Sequence, residues 1–449
     1  MANKLRKEEE IEEIEESEEK AKIRRKKFSF EEMEEKMGVK SLYTLLFILI
    51  LINLFFIQGL RIFLPGIYVS ITHLVWEEDF IMNFLILITF AFFFLPALTN
   101  KICKKFGEKR VITNSIYIIV ILRLLVAFHL PSKIDIICSG LIIPFYGFFL
   151  IAFITLWIEK SDKIELNHKV ITIVFSIYCA FLFDYFLRTI GFSQDITILS
   201  PSFGGDWRIT QYYWLIIQIP LSILIIYCTK KFLPLVITPS KKKILYIEKP
   251  REVIRFNNSY SFIFVGIGMF LFLQFNLFLY PNAIAQITVT NYYITNIFNI
   301  ASITIVICIF LFGNIDKISN NKIIGISNCF MIGSLILFFF YGKILTFIAM
   351  ILISISLVVM HLNLYFLLKL LLKINLKWEK LKNISISITI ALLFMLLFSI
   401  FHIISTEWAY TIQIFKGWGS FIMLVAGIIF SVSTYFSNKI TSQLEGAMI

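Results

Sequence analysis

Residues 42–64 read LYTLLFILILINLFFIQGLRIFL, an apolar run uncharged as far as Arg61. As a helix it spans about 35 Å, enough to cross roughly 30 Å of hydrocarbon. It does not alternate apolar and polar residues as a membrane β-strand does. Inside lipid every backbone amide must be satisfied within the chain, so a helix is the reading that remains.

Runs of this kind recur along the sequence. In the first half they cover 42–64, 80–99, 111–130, 135–157, 169–190 and 211–229. In the second they cover 259–281, 290–313, 322–341, 344–369, 382–404 and 417–436. The spacing predicts an all-α polytopic membrane protein of about twelve transmembrane helices in two six-helix bundles. Four parts follow: a charged tail (1–40), a first bundle (41–229), a basic linker (230–258) and a second bundle with a short C-terminal tail (259–449). The composition agrees, at 58% hydrophobic and 16% charged residues. A soluble domain needs more polar surface than that.

Net charge is +12. Residues 1–40 carry 13 of the 30 acids and 11 of the 42 bases, which leaves the remainder with 31 bases against 17 acids. Those positives sit in loops, where membrane topology accounts for them without nucleic acid. Loops on one face, among them Lys101–Arg110 and Lys230–Arg255, hold 23 bases; those on the other hold 6, such as Arg61, Lys133 and Arg188. Cytoplasmic loops are the basic ones, so both termini are expected in the cytoplasm and the protein in the plasma membrane. The sequence opens without an apolar signal segment. Within the tail, Arg24, Arg25, Lys26 and Lys27 form a cluster suited to anionic lipid. Residues 28–40 have the pattern of a short interfacial helix. The six cysteines have no metal-ligand spacing and lie in or beside apolar runs, so they read as small buried hydrophobes. No cofactor motif or metal set is present.

The loop between the second and third spans reads Asn100-Lys101-Ile102-Cys103-Lys104-Lys105-Phe106-Gly107-Glu108-Lys109-Arg110. Together with six-plus-six spans about a basic linker, it resembles the major facilitator superfamily of secondary transporters. That family carries a Gly-x-Leu-x-Asp-Arg/Lys-x-Gly-x-Arg/Lys-Arg/Lys turn here and a weaker copy between spans eight and nine. Lys105, Gly107, Lys109 and Arg110 match; Lys104 replaces the acid and Asn100 the first glycine. In the second copy Asp316 and Lys317 keep the acid–base pair. The resemblance implies two bundles rocking about a central cavity, with a small-molecule substrate and no enzyme chemistry.

Charged groups inside spans are costly and therefore informative. Arg123 is read as lying well inside the third span, either as a substrate-anion or coupling residue or as half of a structural ion pair. Asp184 and Arg188 are four apart on the fifth span, so they share a face and can pair. Gln58 and Arg61 share a face of the first span and can approach Asp184. Arg61, Asp184 and Arg188 are thus candidates for a gate or coupling site. In the seventh, eighth and tenth spans Gln274, Asn276, Asn296, Asn299 and His361 are candidates for binding solute, against a bland role in interhelical hydrogen bonding. Secondary transport of a small, anionic or zwitterionic solute is the leading reading. One alternative is a membrane glycosyltransferase using polyprenyl-linked sugars, with Glu77, Glu78 and Asp79 as its acids. Another is a scaffold or receptor with a facilitator-like body.

Overall fold

A computed structural model describes residues 33, 34, 37–74, 95–128, 132–160, 166–189, 207–231 and 292–312, with isolated positions between 348 and 389. Seven helices run through these segments. They are α1 (Val39–Leu74), α2 (Leu95–Phe106), α3 (Glu108–Ala127), α4 (Ser132–Lys160), α5 (Leu166–Thr189), α6 (Trp207–Lys231) and α7 (Tyr292–Phe312). Helices α1 and α3–α6 cover the first and the third to sixth apolar runs, α2 takes up the end of the second from residue 95, and α7 covers nearly all of the eighth. Among the described residues, α1, α3, α4 and α5 contain stretches long and apolar enough to cross a membrane.

Helix α1 runs ten residues past the expected end at 64, to Leu74, and two further boundaries differ where motif or site residues lie. Helix α2 was expected to stop near residue 99, but it continues to Phe106 through Lys101, Lys104 and Lys105. Helix α3 then begins at Glu108, so the whole turn is Gly107, with φ +81°. Its N–H bonds the Cys103 carbonyl at 2.8 Å, which closes α2. A left-handed residue at a helix end is the usual role of glycine. The motif residues therefore divide: Lys105 ends α2, Gly107 is the turn, and Lys109 and Arg110 open α3. The other boundary is the end of α3 at Ala127, three residues earlier than the apolar run suggests.

Helix α4 is the centre of the first half. It packs against α1, α2 and α3, while α5 lies against α1 on one side and α7 on the other. Phe149, Phe153 and Trp157 recur every four residues on α4, and their rings pack at 5.8 and 5.9 Å between centroids. All three are buried, because the i, i+4 spacing keeps them on one inward stripe. Gly59 lets α1 approach α4 closely: a Cβ there would sit 3.4 Å from the Ile142 side chain. Pro144 lies inside α4 and leaves the Gly140 carbonyl without its helical donor.

A polar bridge crosses this apolar core. Tyr146 on α4 donates its hydroxyl to Asn53 Oδ1 at 2.5 Å. Asn53 Nδ2 donates to Ser176 Oγ on α5 at 3.1 Å, and Ser176 donates to the Ile173 carbonyl at 2.7 Å. The Tyr146 ring stacks on Phe56 with centroids 3.8 Å apart. Each member is buried and each makes a bond, so the network fixes the register of α1, α4 and α5.

Of the described cysteines, Cys103, Cys138 and Cys228 are buried and Cys179 is half-buried, as expected of small hydrophobes; Cys308 is exposed. Cys103 lies beyond the apolar run, near the basic turn. Burial, and then the nearby Glu108 carboxylate, push its thiol up to about 12. The reactive species is the thiolate. With the other cysteines replaced by serine, maleimide labelling of Cys103 should stay negligible at both pH 7 and pH 9. An ordinary thiol gains about twentyfold in thiolate over that interval. Labelling of Cys103 at the rate of an exposed cysteine at either pH contradicts its buried placement.

Candidate functional site

Within the apolar core of the first half the described residues include a buried group of opposite charges. Arg123 is 0% exposed, though its guanidinium cannot shed its charge at any ordinary pH. Its Nη2 donates to Gln58 Oε1 on α1 at 2.9 Å. The carboxylates that act on its charge are Asp184 on α5 and, more weakly, Asp135 in the first turn of α4. Asp135 and Asp184 are each 2% exposed. Four helices thus contribute one guanidinium, two carboxyls and one amide.

Helix lengths give the depth of this group. Arg123 is fifteen residues from the start of α3, Asp184 eighteen from the start of α5, and Gln58 nineteen from the start of α1. At about 1.5 Å per residue these heights are roughly 22, 27 and 29 Å. Asp135 stands at the opening of α4, which enters from the same face. The cluster therefore lies near the end of the bundle opposite the basic loops. Arg123 is one turn from the end of α3, rather than deep within a longer span.

Gln58, expected with Arg61 to face Asp184, accepts a hydrogen bond from Arg123. Asp184 on α5 acts on the charge of that arginine of α3 across helices. In the sequence Asp135 shows only as the first residue of an apolar run. Its signal was an acid at a helix start facing an arginine-bearing helix across a four-residue link. Its Oδ1 makes no hydrogen bond among the described residues. The side chains of Arg61, Arg188, Asn296 and Asn299 lie outside the described residues, although all four sit on described helices. Gln274, Asn276, His361, Asp316, Lys317, Arg24, Arg25, Lys26, Lys27, Glu77, Glu78 and Asp79 lie outside them altogether.

The two halves meet at α5 and α7. Tyr178 and Phe310 have ring centroids 5.7 Å apart, and Phe310 meets Tyr365 edge-on at 5.5 Å. All three are fully buried. Ser302 on α7 donates to the Ser354 carbonyl at 3.3 Å.

The sequence matches no family model and no curated protein. The structure matches solved ones closely enough to define the fold. A D-xylose–proton symporter superposes with TM-score 0.59 at 14% identity, covering 88% of this chain and 96% of that one. The fucose–proton symporter of E. coli gives TM-score 0.51 at 13% identity, covering 87% and 98%. A bacterial homologue of the iron transporter ferroportin, in its outward-facing state, gives 0.51 at 11%, covering 86% and 98%. The chain is a multi-pass helical membrane protein with the major facilitator fold.

Proposed function

We propose that this protein is a secondary transporter that moves a small polar solute across the plasma membrane by alternating access. The buried Gln58–Arg123–Asp135–Asp184 group supports this reading most directly. Charge held inside a membrane bundle is expensive, and its common uses are transport pathways, relays and counter-ions. The structures of similar fold are named as transporters of a pentose, a deoxyhexose and iron. Such varied cargo means that the shared fold does not select the solute. The glycosyltransferase alternative has no comparable support, since none of these structures is named as an enzyme.

In this proposal the chain has twelve spans in two bundles of six, both termini in the cytoplasm, and the tail's basic cluster against anionic lipid. The Arg123 group is the coupling or outer-gate element, at the ends of its helices. Solute meets the protein nearer the midplane, where Gln274, Asn276, Asn296, Asn299 and His361 remain candidates. Arg123 has carboxylates of its own, so its charge no longer argues for an anionic solute.

Proteoliposomes loaded with unlabelled pentoses, hexoses and amino acids should show counterflow of at least one radiolabelled member, lost in Arg123→Gln. Absence of counterflow for sugars, amino acids and organic anions alike sinks the transporter reading. Topology has its own check: a cysteine at Lys242 should react with impermeant maleimide only after permeabilisation. Labelling in intact cells reverses the orientation.

A further inference from the structure

We infer that Met33, Glu34, Met37 and Gly38 form a strap on the cytoplasmic face that holds α5 in its contact with α7. Met33 precedes the first span, yet its side chain is 1% exposed and belongs to the buried core. Its sulfur lies 3.6 Å from Thr172 Oγ1, near the start of α5. The Thr172 hydroxyl has one proton, and the His168 carbonyl at 2.8 Å is the better acceptor. The Met33 contact is therefore chiefly packing, which suits a flexible, polarizable thioether. Met37 packs on the same core from one turn further along.

The other end of the strap is tied to α1. Tyr43 donates its hydroxyl to Glu34 Oε1 at 2.7 Å, and the Gly38 N–H bonds the Glu34 carbonyl at 2.8 Å. Gly38 has φ +83°, and α1 starts from its carbonyl through Ser41 and Leu42. The chain reverses at this glycine, which is how a residue ahead of α1 reaches α5. No atom lies within 4 Å of the position a Cβ would take, so the constraint on Gly38 is its backbone angle alone.

The contact matters because of where it falls on α5. Tyr178, which meets Phe310 of α7, is six residues beyond Thr172, about 9 Å along the helix. Met33 thus braces the helix that carries the contact between halves, on the cytoplasmic side of that contact. Any motion that parts α5 from α7 at this level loads the Met33 contact as well. The link from this bracing to an inward-opening step rests on the alternating-access reading; the bracing itself does not.

Hydrogen–deuterium exchange on the full-length protein in nanodiscs tests the strap without a known solute. Met33→Lys places a charge where none can be buried, and Gly38→Ala opposes the chain reversal. Both should speed exchange in 166–180 and in 300–312 by roughly tenfold, the scale set by burying one methionine side chain. Met33→Leu should match the natural protein. Exchange in 108–127, on α3, should not change. Faster exchange confined to 33–42 overturns the strap, because the segment then rides on the bundle passively. An equal rise in α3 also overturns it, because Met33 then supports the bundle in general. If counterflow is absent but α5 and α7 respond as expected, the transporter reading fails and the strap stands.

Discussion

Arg123→Leu is expected to cost roughly 3–5 kcal/mol of stability, because it removes a buried cation whose charge two buried carboxyl groups face. The measurement is the midpoint of thermal unfolding in detergent, followed by size-exclusion fluorescence. Adding Asp184→Asn and Asp135→Asn should recover most of the loss, since neutral amides need no counter-charge. Transport should not return in the triple variant, because the group would then hold nothing that changes charge. Arg123→Gln keeps a donor toward Gln58 and should fall between the two in stability. If Arg123→Leu folds as well as the natural protein, the carboxylates do not depend on it and the cluster is not a unit. If the triple variant transports, the cluster is structural and the coupling site lies elsewhere.

The second large effect concerns Gly59. A Cβ at this position meets Ile142 at 3.4 Å, which is ordinary contact, so Gly59→Ala should be nearly neutral. Gly59→Leu drives three more carbons into the α1–α4 interface and should cost about 1–3 kcal/mol. Ile142→Ala in the same protein should return at least half of that, because it vacates the volume the leucine needs. A double-mutant cycle in thermal midpoints reads the coupling. Additive losses in the double variant contradict the close approach of α1 and α4 at this point.

The transmembrane pattern was legible because hydrocarbon allows so few solutions. A run such as residues 42–64 has one stable backbone in lipid, and its length sets its role. The positions of ends were less legible, for a physical reason. Phe128, His129 and Leu130 continue the apolar character of α3 although the helix stops at Ala127. Hydropathy reports what the surroundings tolerate, whereas helix ends follow hydrogen bonding. That three-residue overrun placed Arg123 too deep. Asp135 was hidden by the same ambiguity, since an acid at a helix start also suits the helix dipole. Asp184 and Arg188 show a further limit: spacing predicts which residues share a face, but an opposing helix decides what that face meets. Gly107 marks the opposite case, where a motif glycine proved to be the entire turn.

The length of α1 carries a consequence of its own. Its 36 residues make a rod of about 54 Å, against roughly 30 Å of hydrocarbon. Lying wholly within that layer would require a lean near 55°, beyond the 0–40° usual for membrane helices. Even at 40° the rod rises about 41 Å along the normal, nearly the full thickness of the bilayer with its headgroups. The far end of α1 therefore stands among the headgroups or clear of them, as a post beyond the level of Arg123. A spin label at its tip would swing through a wide arc for a small tilt at Gly59, which makes this post a natural pointer for reading the motion of the bundle.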